Sequence, residues 1–280
     1  MQINYTQHVA FIAHRHCLTQ LVDRVVALVH AIALRLFQWM EQIKECLLGS
    51  SSYVQIIQGS QDGCYGGCNL DRVKEVFARL IANRAYGVTF DERHLSPQLS
   101  GGACSSMALE FIDQYLNQQV RIAANPVSEL QSLGAAFRTC SDELRIRQAA
   151  FNAICSHPHE VSLDFKRDKV AALLGFHQRQ IVYSSDEVVL SDANDRVGQI
   201  FRNLPRGVFV IRAIDPCVNH KGEFHGHSMA LINESWGKFL YDPNFGLYQL
   251  KGDGIQAIQK WLSRVNSFFH IPNVRFYQVT

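Results

Sequence analysis

A cysteine, a histidine and an aspartate, far apart in the chain, are the residues whose types suggest chemistry. Cys104 follows the tight turn Gly101-Gly102-Ala103. His227 opens the β-like run His-Ser-Met-Ala-Leu-Ile, and Asp242 ends the next such run. A thiol becomes a nucleophile when it is ionised, a neighbouring base holds its proton, and a third group orients that base. The three residues therefore predict nucleophilic chemistry at a sulfur atom.

The apolar spacing after Cys104 predicts a helix that starts at this cysteine. Side chains at intervals of three and four residues form one stripe: Met107, Ala108, Phe111, Ile112, Tyr115 and Leu116. Cys104 lies on the same stripe one turn earlier. At the first helical turn, the unpaired backbone N–H groups and the positive end of the helix dipole favour a thiolate over a thiol. The alternative interpretation is a small buried cysteine that begins a core helix.

His227 and Asp242 are predicted to lie on neighbouring strands. Residues 233–237 connect the two runs, so the end of one strand comes beside the start of the other at one edge of a sheet. There His227 can take the thiol proton, and Asp242 can fix the tautomer and orientation of the ring. Taken singly, His227 also fits a structural role, and Asp242 before Pro243 also fits a turn.

The same region contains a competing set of metal-ligand types. Cys217, His220, His225 and His227 fall within eleven residues, and zinc binds such ligands tetrahedrally. A zinc site leaves Cys104 and the segment after Asp242 without a role. We therefore predict no metal and no cofactor.

Composition excludes several classes of protein. The chain has 280 residues, of which 47% are hydrophobic and 19% are charged, a balance typical of a soluble globular protein. The formal net charge is only +2 and the basic residues are scattered, so no nucleic-acid partner is predicted. The eight cysteines are irregularly spaced and follow no cleaved secretory leader, which favours reduced thiols over a disulfide framework.

The order of the elements predicts an α+β fold, because helical patterns come first and β patterns follow from residue 181. A helix is predicted over residues 21–48. Its apolar run, residues 25–37, is shorter than the membrane-spanning length of about 20 residues and is interrupted by His30 and Arg35. Turn-forming residues follow it. We therefore predict an N-terminal helical extension and linker at 1–69 and a second domain at 70–280.

The motifs around the three reactive residues resemble those of the YopT and AvrPphB family of bacterial effector cysteine proteases. The resemblance rests on Gly102-Ala103-Cys104, on His227 with the small and apolar residues after it, and above all on Phe239-Leu240-Tyr241-Asp242-Pro243-Asn244-Phe245-Gly246. It implies a papain-like catalytic domain, with a helical half that carries the nucleophile packed on an antiparallel sheet. In it Cys104 is the nucleophile, His227 the general base and acid, and Asp242 the orienting group.

The resemblance also implies a site for the oxyanion and a setting for the protein. The backbone N–H of Cys104 is one oxyanion donor. Papain-like enzymes add a side-chain amide upstream, for which Gln98 is the candidate and Asn83 and His94 compete. The implied protein is secreted without a cleaved signal peptide and acts on a host protein in the host cytoplasm or at a host membrane. The N-terminal helix is then predicted to contact a secretion chaperone or a membrane surface.

Two other functions are compatible with the same residues. A deamidase, transglutaminase or acyltransferase can use the same triad on a different amide or with a different acceptor. A non-catalytic interaction protein on this scaffold is a further hypothesis, and it requires no reactivity of Cys104.

Overall fold

The computed structural model divides the chain into two compact units, residues 1–50 and residues 51–280. In the first unit it describes Val25, Val29, Ile32 and Leu36. In the second it describes residues 52–58, 69–82, 103–137, 140–155, 170–171, 174–175, 177–190, 194–218, 224–269 and 273–280.

The second unit is built on one antiparallel sheet. Its strands are β1 (Tyr53–Gln58), β2 (Ile181–Ser184), β3 (Val188–Val189), β4 (Gly207–Val218), β5 (Phe224–Glu234), β6 (Gly237–Asp242), β7 (Gly246–Leu250) and β8 (Asn273–Val279). The order across the sheet is β1-β7-β6-β5-β4-β8-β2, and β3 also pairs with β8. The last strand therefore lies inside the sheet, between β4 and β2.

Helices accompany this sheet. Among the helices of the described residues are α1 (Leu70–Ala82), α2 (Cys104–Ala124), α3 (Pro126–Ala136), α4 (Asp142–Cys155), α5 (Asn194–Asn203) and α6 (Ile255–Phe269). Four of them precede most of the strands in the chain. The fold class is α+β, with α2 packed against β4, β5 and β6.

The two faces of the sheet contact different helices. Successive side chains of a strand point to opposite faces, so neighbouring residues reveal both sides. Tyr241 stacks on Phe111 of α2, with ring centroids 4.3 Å apart. The next residue, Asp242, accepts a hydrogen bond from Trp261 of α6. The sheet therefore separates the helix that begins at Cys104 from the helix that supports Asp242.

Strand β1 belongs to the same unit as the sheet, although the sequence analysis assigned it to the linker. It pairs with β7 from Tyr53 opposite Leu250 to Gln58 opposite Gly246. Its partner lies almost two hundred residues later in the chain and leaves no local signal in the sequence. The compact unit that contains the sheet begins at residue 51. The division into an extension at 1–69 and a catalytic domain at 70–280 stays a prediction.

Replacing Tyr53 by alanine is expected to destabilise this unit by about 3 kcal/mol, because a buried aromatic side chain is lost. The Tyr53 ring is 3% exposed and makes edge contacts with Trp261 and Tyr248, at centroid distances of 5.2 and 5.4 Å. Val54 on the same strand is 46% exposed. The control Val54→Ala should change the free energy of unfolding by less than about 0.5 kcal/mol. Urea denaturation of both variants measures the difference, and equal losses would contradict the packing described here.

In the first unit, Val25, Val29, Ile32 and Leu36 are helical and exposed. Their spacing of four, three and four residues places them on one helical face. Among the described residues, no helix has the length and apolarity to cross a membrane.

Candidate active site

Helix α2 begins at Cys104, and its first turn is capped by another helix. The preceding residue, Ala103, makes no side-chain cap. Instead the Oε1 atom of Gln148 on α4 accepts a hydrogen bond from the backbone N–H of Ser106 at 3.0 Å. Gln148 is 4% exposed, and its amide nitrogen donates to Asn152 at 2.9 Å. The start of α2 is therefore fixed by a buried amide that is itself held in place.

The stripe predicted on α2 is the face that packs on the sheet. Met107, Ala108, Phe111, Ile112 and Tyr115 are all 0% exposed. Burial of such side chains typically stabilises a fold by about 1.5–3 kcal/mol each. This packing fixes the position of Cys104 relative to strands β4, β5 and β6.

His227 and Asp242 lie on paired strands, as expected from their connection. Strand β5 pairs with β6 through Ala230 opposite Tyr241, across the two-residue turn Ser235-Trp236. Asp242 is the next residue, so its side chain is diagonal to that of His227 on the same face. Strand β5 begins at Phe224 rather than at His227. His227 is therefore held within a strand, opposite Ala213 of β4.

Cys104, His227 and Asp242 form one chain of side-chain hydrogen bonds. The Nε2 atom of His227 lies 3.0 Å from Oδ1 of Asp242. The other side of the His227 ring is hydrogen-bonded to the Cys104 side chain. Because Nε2 is engaged with the carboxylate, Nδ1 is the ring nitrogen left for the sulfur. The side chains are 4%, 2% and 0% exposed, so their interactions are little screened by water.

The surroundings of Cys104 favour the thiolate. Burial raises the pKa of the thiol, but the hydrogen bond and charge of His227, the charge of Arg212 and the backbone N–H of Ser228 together lower it below its usual value. In the thiol form, the sulfur can instead donate to the carbonyl oxygen of Gly226, 3.9 Å away. The ionised form of Cys104 is therefore stabilised mainly by an imidazolium at its side.

His227 is the matching cation. Burial lowers its pKa, but the charge and hydrogen bond of Asp242, with a further contribution from Cys104, outweigh burial and raise the pKa to about 10. A raised histidine pKa and a lowered cysteine pKa describe one event, in which the proton moves from sulfur to the ring. The two shifts favour a thiolate beside an imidazolium over a neutral thiol beside a neutral ring.

Asp242 is held by three donors. Its Oδ1 accepts from His227 and from the backbone N–H of Asn244 at 2.9 Å, and its Oδ2 accepts from the indole Nε1 of Trp261 at 3.1 Å. A carboxylate held by this many donors cannot rotate without losing a hydrogen bond. Asp242 is therefore a fixed negative charge behind the His227 ring.

Trp261 is positioned in turn by aromatic side chains from three elements. Its ring lies 5.2 Å from Tyr53 of β1, 4.3 Å from Tyr248 of β7 and 5.6 Å from Phe245, measured between centroids. The guanidinium of Arg264 lies over the indole at 5.1 Å. Aromatic pairs of this kind contribute about 0.5–1.5 kcal/mol beyond burial.

Sequence reasoning did not assign Gln148, Trp261 or Arg212 to the site. The signal for Arg212 was present, because it is the only charged residue in the apolar run Gly207–Ile214. For Trp261, nothing in the nearby sequence identifies Asp242 as its partner. Gln148 carries no signal in the sequence.

The other predicted site residues lie outside the described part of the chain. These are Gln98 and its competitors Asn83 and His94. Of the competing zinc ligands, His220 and the side chains of Cys217 and His225 also lie outside it. His227, the fourth, has Nε2 engaged with Asp242. Within the described residues, no three His, Cys, Asp or Glu side chains are grouped as metal ligands.

The chain matches no protein-family model and no curated protein. Among solved structures it is similar to the Pseudomonas avirulence protein AvrPphB, at 15% identity and a TM-score of 0.44, over 64% of this chain and 91% of that one. Neither the family nor the activity of this chain follows from a similarity of this size.

Proposed function

We propose that the protein is a cysteine protease with a papain-like catalytic site, in which Cys104, His227 and Asp242 form the triad. The observation that carries the proposal is the buried chain of hydrogen bonds from Cys104 through His227 to Asp242, with the sulfur at the start of a helix. An ion pair of thiolate and imidazolium is a ready nucleophile beside a ready acid.

In the first half of the proposed reaction, the thiolate of Cys104 attacks the carbonyl carbon of a peptide bond. The π electrons of the carbonyl move to its oxygen, giving a tetrahedral intermediate. When this collapses, the C–N bond breaks and the leaving nitrogen takes the proton from Nδ1 of His227. The products are an amine and a thioester on Cys104, and the His227 ring is neutral.

In the second half, water hydrolyses the thioester. Neutral His227 takes a proton from the attacking water, and the new tetrahedral intermediate expels the Cys104 thiolate. The acid product departs, and the ion pair is restored. Asp242 holds the ring with Nδ1 toward the sulfur in both halves and stabilises the imidazolium each time it forms. The backbone N–H of Cys104 is the proposed donor to the oxyanion, and Gln98 stays the predicted side-chain donor.

The proposed setting rests on the sequence resemblance alone. By that resemblance the protein is a secreted bacterial effector, its substrate is a host protein, and it acts in the host cytoplasm or at a host membrane. The exposed face of Val25, Val29, Ile32 and Leu36 supports a contact of the N-terminal helix with a chaperone or a membrane surface.

Labelling with an iodoacetamide or epoxide probe tests the nucleophile. We expect rapid labelling of the wild type at neutral pH, loss of that labelling in Cys104→Ala, and unchanged labelling in Cys140→Ala. Cys140 is a suitable control because it is also a free cysteine and is less buried. Equal labelling of the wild type and Cys104→Ala would overturn the proposal.

The products distinguish proteolysis from other uses of the triad. Host lysate is incubated with the wild type and with Cys104→Ala, and new protein N-termini are compared by mass spectrometry. New N-termini that appear only with the wild type support a protease. A mass gain of about one dalton without cleavage would replace the proposal by deamidation, and an added group would replace it by transfer.

A further inference from the structure

We propose that Arg212 is a positioning residue that supplies a second, permanent positive charge to Cys104 and keeps its thiolate ionised independently of His227. This inference rests on the proposed function of Cys104 as the nucleophile. Arg212 is a charged residue in the apolar strand β4, and it is not a member of the triad.

Arg212 lies between the two chain segments that carry the nucleophile and the base. It is opposite Ser228 in the pairing of β4 with β5. Its Nη1 atom donates to the hydroxyl of Ser105 and to that of Ser228, each at 2.6 Å, and the two hydroxyls are 2.9 Å apart. Ser105 follows Cys104 and Ser228 follows His227 in the chain. One guanidinium thus ties the start of α2 to the strand of the base.

The serine hydroxyls hold the guanidinium firmly because they are buried. Ser105 is 3% exposed and Ser228 is 0% exposed. A third contact comes from Gly226, where a Cβ atom would lie 3.1 Å from the second terminal nitrogen of Arg212 and 3.3 Å from the carbonyl oxygen of Ala213. The absence of a side chain at residue 226 lets the guanidinium approach a backbone whose carbonyl oxygen is 3.9 Å from the sulfur of Cys104.

The charge of Arg212 is not neutralised by a carboxylate among the described residues. Its hydrogen bonds within the described residues go to neutral hydroxyls, and its guanidinium also lies 5.7 Å over the ring of Phe151. Arg275, directly opposite on β8, is also a cation and lies 3.6 Å from Glu187. Tyr277 on β8 is also affected by the charge of Arg212. Burial raises the pKa of Tyr277, and the charge of Arg212 acts in the opposite direction.

The other titratable group on which the charge of Arg212 acts is Cys104. The charge of Arg212 acts on Cys104 in the same direction as that of His227, lowering the pKa of the thiol against the effect of burial. The two cations differ in one respect. His227 gives up its proton during the reaction, whereas a guanidinium stays charged at every working pH. Arg212 therefore provides the part of the stabilisation that does not depend on the protonation of the base.

The test is the rate of Cys104 alkylation as a function of pH, which needs no substrate. In Arg212→Gln we expect alkylation at about pH 6 to be about tenfold slower, with the inflection moved to higher pH and equal rates on the alkaline plateau. Arg212→Lys, which keeps the charge, should stay close to the wild type. Arg212→Met is a second variant without charge, in case the glutamine variant does not fold. Arg275→Gln, the same change one strand away, should leave the profile unchanged.

A second comparison separates a direct charge effect from an effect through the base. In a His227→Gln background, Arg212→Gln should again slow alkylation at about pH 6, by a similar factor. If Arg212→Gln no longer slows alkylation in that background, Arg212 acts by fixing the position of His227, and the proposal is overturned. It is also overturned if the charge-free variants keep the wild-type profile, or if they change only KM. If no substrate is hydrolysed but alkylation responds as expected, the proposed function fails and the role of Arg212 stands.

Discussion

Replacing His227 by glutamine is expected to lower kcat/KM for peptide hydrolysis by about 10³-fold or more, since the proton donor and the cation beside the sulfur are lost together. Glutamine is the suitable replacement because its amide can still donate to Asp242, which would otherwise be a buried charge without its ionic partner. The hydrogen bonds from Asn244 and Trp261 to that carboxylate remain. The fold should therefore survive, and thermal unfolding checks that it does.

The pH dependence of Cys104 alkylation should change in the same variant. In the wild type, the cation at His227 favours the thiolate, so alkylation stays fast until the pH falls below the lowered pKa of the thiol. Without that cation, the effect of burial is opposed only by Arg212 and the N–H of Ser228, so the pKa of the thiol rises. Hydrolysis by the wild type should also decline as the pH rises through about 10, where His227 loses its proton.

His177→Gln is the matched control for this prediction. His177 is also largely buried and also faces carboxylates, with its ring nitrogens 3.8 Å from Glu110 and 3.5 Å from Asp113. It makes no contact with Cys104 among the described interactions. Hydrolysis and the alkylation profile should match the wild type in His177→Gln. A loss in both histidine variants would indicate a general effect on folding and would contradict the role given to His227.

Replacing Asp242 by asparagine is expected to lower kcat/KM by about 10²-fold and to destabilise the fold by about 3 kcal/mol. The loss of activity follows from the charge, because without it the pKa of His227 falls and the imidazolium is less populated. The loss of stability follows from geometry. If the Asn oxygen keeps the bonds from His227 and the backbone of Asn244, its NH₂ group faces the indole N–H of Trp261, and two donors then meet in a buried site.

Trp261→Phe separates the two effects because it removes the competing donor. In a double-mutant cycle, Asp242→Asn should cost about 1–2 kcal/mol less in the Trp261→Phe background, while the loss of kcat/KM should be the same in both. Urea denaturation and steady-state kinetics provide the two measurements. Trp236→Phe is the control, since Trp236 packs on Phe239 at 5.6 Å and should show no coupling to Asp242. Equal stability losses in the wild-type and Trp261→Phe backgrounds would contradict the described geometry.

The parts of the structure that were predictable are those encoded by nearby residues. The apolar period after Cys104 specifies both the helix and the face that packs on the sheet. The short connection between the runs at His227 and Asp242 specifies a hairpin, and a hairpin places those two side chains next to each other. What brings Cys104 to them is packing across the sheet, for which the sequence offers composition and order but no register.

Helix α5 shows why some elements could not be predicted from the sequence. Its segment contains Gly198, which weakens a helical pattern because glycine disfavours helices. In the structure, a Cβ at residue 198 would lie 2.8 Å from the side-chain nitrogen of Gln259 and 3.2 Å from Ile255. The close approach of α5 to α6 leaves little room for a side chain at residue 198, and this restriction is visible only when both helices are in place. The roles of Arg212 and Gln148 could not be predicted for the same reason, because their partners belong to distant segments of the chain.

The order of the strands has a consequence for folding kinetics. Gln55 on β1 donates to the carbonyl oxygen of Phe245, 190 residues later, and Cys104 meets Gly226 across 122 residues. Contacts between such distant positions require large loops to close before any stabilisation is gained, which slows folding. The hairpin of β5 and β6 can form early, but β8 must still enter between β4 and β2 to complete the sheet. The ion pair of Cys104 and His227 is thus a property of the finished fold, and a chain that has not completed its sheet carries an ordinary thiol.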